Sequence, residues 1–142
     1  MNEEHDLDGD QILKALTPFP GVALHGETCG AVTGSLMALG LVYGRDDIKD
    51  WSAYIRSLPP ARKFCARFEE RYGSTACSNI LQEKLGQMYD LADKAEALQY
   101  AVSGGPEACV EVVAYAVEIA FESITKAHRY ANYTLTSRLL VL

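Results

Sequence analysis

From Pro106 to about Arg129 the chain carries Cys109, Val112, Val113, Ala116, Ala120 and Ile124 at helical spacing. That pattern predicts one long helix with a continuous apolar stripe. A stripe of this length must be covered, and the rest of the chain offers helices to cover it. No stretch alternates apolar and polar residues long enough to make a strand. Glycine and proline mark off the other segments. QILKAL (Gln11–Leu16) stops at Thr17-Pro18. A helix capped by Thr28 runs to Tyr43 and ends at Gly44. Asp46 or Asp47 opens IKDWSAYIRSL, which closes at Pro59-Pro60, and Pro60 starts ARKFCARFEERY, closed by Gly73. Ser74 or Thr75 caps ACSNILQEKL, and Asp90 heads LADKAEALQYAV, which ends at Ser103-Gly104-Gly105. The expectation is an all-α chain: a single compact multi-helix domain over residues 1–142, with about six helices. Residues 131–142 form a C-terminal tail whose apolar end packs on the core or on another subunit.

With 142 residues, the chain is long enough for one domain with a real core. Its net charge of −6 argues against a nucleic-acid partner, which would call for a basic patch. The opening MNEEHDLDGD is acidic and lacks an apolar stretch, unlike a secretory signal. The longest weakly polar run, Cys29 to Tyr43, is too short for a membrane span. These features predict a cytoplasmic protein. In that compartment the four cysteines are expected to bind metal, to react or simply to be buried, rather than to form a static disulfide framework.

Three of the four share a setting. Cys29 follows Gly26-Glu27-Thr28, Cys77 follows Gly73-Ser74-Thr75-Ala76, and Cys109 follows Gly104-Gly105-Pro106. Each falls at the start of an expected helix, where free N–H groups and the helix dipole favour a thiolate. Cys65, inside ARKFCARF, lacks that setting. Gly30 and Gly34 lie one helical turn apart, so this helix face could admit a neighbouring backbone or a cofactor. The bland alternative is that the cysteines act as small hydrophobes and the glycines only permit tight packing.

Cys29-Gly30-Ala31-Val32-Thr33-Gly34, the stretch Met37–Gly44, Phe68 to Ser74 leading to Cys77, and Pro106 with Cys109 occur here as an ordered set. This set resembles a family of proteins presumed redox-active and labelled by the pattern C_GCAxxG_C_C, over residues 10 to 125. The resemblance implies that the family's later three cysteines are Cys29, Cys77 and Cys109. The chain departs from the pattern in two ways. The label writes glycine before its second cysteine where this chain has Thr28, and no cysteine precedes Cys29. Cys65 or His25 is a candidate replacement for the missing first ligand, and Glu27 could supply an oxygen or a proton. A related domain occurs in split-Soret cytochromes, helical dimers with haem and an iron–sulfur centre. No CxxCH for haem attachment is present, and His5 and His128 are weak axial candidates.

Three functions follow as expectations. The first is electron transfer by an iron–sulfur cluster or another thiolate-bound metal, with Cys29, Cys77 and Cys109 as ligands and Cys65 or His25 as the fourth. A redox partner protein would exchange the electrons, and a homodimer could complete an open site. The second is thiol–disulfide chemistry without metal, with Cys29 as nucleophile. The third is a non-catalytic helical interaction module. None of these commits the chain to a named enzymatic reaction, and the motifs GxSxG, HExxH and GxxxxGK[ST] are absent.

Overall fold

The computed structural model describes the backbone of residues 9–139 and the side chains of residues 9–126. His5, the side chain of His128 and residues 140–142 lie outside the described set. The architecture is all-α, and no strand occurs among the described residues. The elements are α1 (Gly9–Leu16), α2 (Gly21–Leu24), α3 (Gly30–Tyr43), α4 (Trp51–Tyr72), α5 (Cys77–Leu85), α6 (Lys94–Val102) and α7 (Gly105–Leu139).

The centre is a three-way packing of α3, α4 and α7. Helix α4 supplies Phe64, Phe68 and Tyr72, spaced four apart so that all three point to one side. Helix α3 supplies Val32 and Leu39, and α7 supplies Val112, Ala116, Ile119 and Ala120. Each large side chain removed from water here contributes about 1.5–3 kcal/mol. Small residues of α3 let α7 come close enough for direct polar contacts. The buried Ser35 hydroxyl faces the Ala116 carbonyl at 3.5 Å, and Tyr43 donates to the Ser123 carbonyl at 2.6 Å. From α4, Arg67 pairs with Glu122 of α7 at 2.8 Å.

The structure departs from the sequence expectations at several boundaries. The chain does not break at Pro59-Pro60, and α4 runs unbroken through both prolines. Each proline removes one backbone N–H and frees one carbonyl a turn earlier. Those carbonyls belong to Ile55 and Arg56, both exposed, so water can satisfy them. The cap of α4 is Asp50, accepting from the Ala53 N–H, rather than Asp46 or Asp47. Asp93, not Asp90, caps α6 through the N–H groups of Ala95 and Glu96. Helix α7 continues beyond Arg129 to Leu139, so much of the expected tail is helical. Its apolar stripe is also redistributed. Ile119 is buried, while Val113 is 47% exposed and lies with Val117 and Phe121 along an apolar groove against α3.

Candidate functional site: three thiols on an apolar cavity

Two loops carry Cys29 and Cys77, and the backbone ties them together. Thr28 and Ala76 form an isolated antiparallel bridge. The Cys29 N–H donates to the Thr75 carbonyl at 2.8 Å, and the Cys77 N–H to the Glu27 carbonyl at 2.7 Å. The Ser78 N–H adds a bond of 2.9 Å to the Gly26 carbonyl. Cys29 is thus the N-cap of α3, a place expected for Thr28, and Cys77 is the first residue of α5. Cys109 is the fifth residue of α7, because that helix starts at Gly105. Only the first two thiols therefore stand among free helix N–H groups.

A tight turn walls the same place. In α2 the residues Gly21, Val22, Ala23 and Leu24 have φ of 57°, 50°, 55° and 66°, a run in the left-handed region. Such backbone costs L-residues about 1–2 kcal/mol each. Bonds from the N–H of Val22 to Phe19 and from the N–H of Ala23 to Pro18, both 2.9 Å, hold it. Gly21 is where the turn meets the thiols. A Cβ there would sit 3.6 Å from the Cys77 Cβ and 3.7 Å from its Sγ.

Cys29, Cys77 and Cys109 all line one cavity of about 320 Å³, with Gly30 and Gly34 in its wall. Cys109 lies near enough to act on the ionisation of Cys29, and both act on that of Cys77. All three are free thiols. Tyr100 of α6 donates its hydroxyl to the Cys109 Sγ at 3.1 Å. The Tyr100 ring rests edge-on against Tyr89, with centroids 5.8 Å apart, and both rings reach the cavity. No motif or spacing marks Tyr100, which lies in an unremarkable helical segment.

Burial reverses the expected tendency toward thiolate. Desolvation raises the Cys29 thiol, although the Ala31 and Val32 N–H groups pull the other way without closing a cap hydrogen bond. Cys77 is pushed up to about 11, first by burial and then by Cys29 and Cys109. The Tyr100 hydroxyl is also raised, by burial and by its bond to Cys109. The helix dipole is worth only about 0.3–1 kcal/mol, and the apolar surroundings outweigh it.

Neither candidate for a fourth ligand reaches the cavity. Cys65 packs against the core one position round the helix from Phe64, and burial followed by Glu69 raises its thiol. His25 lines a separate depression beside Met88 and Asp90. Among the described residues, no three His, Cys, Asp or Glu side chains are assembled as a set able to hold a metal ion.

No curated protein and no solved structure matches the chain. A family model described as "Putative redox-active protein (C_GCAxxG_C_C)" matches residues 1–123. That match covers most of the chain and runs through all three cavity cysteines, so the protein belongs to the C_GCAxxG_C_C family.

Proposed function

We propose that the protein cycles between a dithiol and a disulfide, with Cys29 and Cys77 as the reversible pair. The observation that carries this reading is the shared cavity of the three thiols, two of them on loops clamped by backbone bonds. In the reaction, the Cys29 thiolate attacks one sulfur of an external disulfide, forming a mixed disulfide and releasing one thiol. The Cys77 thiolate then attacks the Cys29 sulfur and releases the second thiol. Two electrons and two protons pass from the pair to the external disulfide, which becomes two thiols. Cys29 goes first because the Ala31 and Val32 N–H groups oppose the rise that burial imposes on its thiol, whereas at Cys77 burial, Cys29 and Cys109 all act in the raising direction. Cys109 is held aside by the Tyr100 hydroxyl. A bridge between the pair requires their Cα atoms to stand within about 7 Å of each other. A reducing compartment such as the cytoplasm, with a thiol-bearing redox partner, suits a pair that must be reset after each turnover.

Free-thiol counting with peptide mapping tests this. Mild oxidation is expected to remove two thiols, mapped to Cys29 and Cys77, while Cys65 stays free. Four free thiols after oxidation would overturn it.

A second reading, electron transfer by an iron–sulfur or other thiolate-bound metal centre, draws on the same three sulfurs. It requires the loops to bring the sulfurs into a donor set. A visible spectrum and iron assay on anaerobically purified protein decide it. A brown, iron-bearing protein that loses its colour in Cys29→Ala would replace the dithiol reading.

A further inference from the structure

We infer that the cavity beside the thiols selects an uncharged, apolar disulfide as its reactant and turns away anionic ones such as glutathione disulfide. This rests on the dithiol reading and names its substrate class. None of the residues lining the cavity is Lys, Arg, His, Asp or Glu. Leu16, Phe19, Leu91 and Val113 give apolar walls, and the polar groups present are thiols, hydroxyls and backbone. A carboxylate entering this space would leave water without a cation to meet it. The protein's net charge of −6 adds long-range repulsion of anions. An uncharged reactant loses nothing of the kind and gains by covering apolar surface.

The volume also suits a small molecule. At about 320 Å³ the cavity lies at the lower end of ligand-sized pockets. Its α3 wall is opened by Gly34, where a Cβ would meet nothing within 4 Å. A larger side chain at that position therefore takes up space at the wall that the cavity shares with the α3–α7 groove, without forcing the backbone. The step balances as before: the two thiols of Cys29 and Cys77 become one disulfide, and one uncharged disulfide becomes two uncharged thiols.

The test uses the full chain with Cys65→Ser, so that only cavity thiols report. Reduced protein is reacted with dithiodipyridine, which is uncharged, and with dithiobis(nitrobenzoate), which carries two carboxylates. Mercaptoethanol supplies the reference ratio of rates at the same pH. The protein's preference for dithiodipyridine is expected to exceed the reference by roughly tenfold or more, since the anionic reagent must desolvate its charge unpaired. The reaction should saturate, slow when bipyridine is added as an inert competitor, and lose its preference in Gly34→Leu. A ratio equal to that of mercaptoethanol, with no saturation and no effect of bipyridine, would overturn the inference whether or not Gly34→Leu folds. The two proposals fail separately. A Cys29–Cys77 bridge without discrimination sinks the substrate class alone. Discrimination that stops at stable mixed disulfides sinks the dithiol cycle alone.

Discussion

Gly105 and Tyr100 show how one missing methyl can hold a site together. A Cβ on Gly105 would land inside the Tyr100 ring, against its Cε2, Cδ2 and Cζ atoms. In an ordinary helix, alanine in place of glycine stabilises by about 1 kcal/mol. Here Gly105→Ala should instead destabilise by about 1–3 kcal/mol in urea denaturation, because the ring must move. The same variant should speed alkylation of Cys109 by freeing it from the Tyr100 hydroxyl. Cys77 makes the second residue-scale prediction. Its thiol stands at about 11 in the fold against an ordinary 9.0. The neutral thiol's contribution to stability is complete below pH 9 and disappears as pH rises towards 11, because the unfolded chain ionises first. The urea midpoint should therefore fall over that window, and less steeply in Cys77→Ala.

Among the elements, the left-handed turn α2 is the strained part. Val22 is β-branched, sits at φ 50° and is 45% exposed, so it contributes little burial to offset its backbone cost. Val22→Gly should raise stability by about 1 kcal/mol, read as an upward shift in melting temperature. This element also marks where sequence reasoning stops. The stop at Thr17-Pro18 and Gly26 ahead of Cys29 left this stretch outside the expected helices, but Val22, Ala23 and Leu24 are residues that avoid positive φ, so nothing local predicted a left-handed run. The helices were legible because each carries a periodic apolar set or a strong stop, such as Gly73 and Gly86, which end α4 and α5 in the left-handed conformation. Pro59-Pro60 misled because a local rule was overridden. Phe64, Phe68 and Tyr72 pack the second half of α4 against α3 and α7, and solvent can satisfy the carbonyls freed in the first half.

At the scale of the whole molecule, the site is assembled by packing that lies outside it. Phe68 has no exposed surface and stands in the core shared by α3, α4 and α7. Phe68→Ala should cost about 3–5 kcal/mol in denaturant unfolding. The same variant should let an alkylating agent reach Cys29, Cys77 and Cys109 together, since their common cavity depends on those helices. The site itself was only partly legible. Helix starts and cysteine order singled out the three thiols and the two glycines of the cavity wall. The contributions of Tyr100, Leu16 and Phe19, and the exclusion of Cys65 and His25, depend on how distant segments fold back. Desolvation, which sets the sign of the thiol shifts, is likewise a property of the closed structure.

The bridge between Thr28 and Ala76 also sets an order in time. At about 5–20 residues per second, a ribosome delivers Cys77 roughly 2–10 s after Cys29. Throughout that interval the growing chain carries one partner of the pair without the other, and the cavity that shelters it does not yet exist. An oxidant arriving then meets Cys29 without its partner and leaves an adduct other than the Cys29–Cys77 bridge. A newly made molecule is therefore open to such adducts until its last helix is complete and the cavity closes.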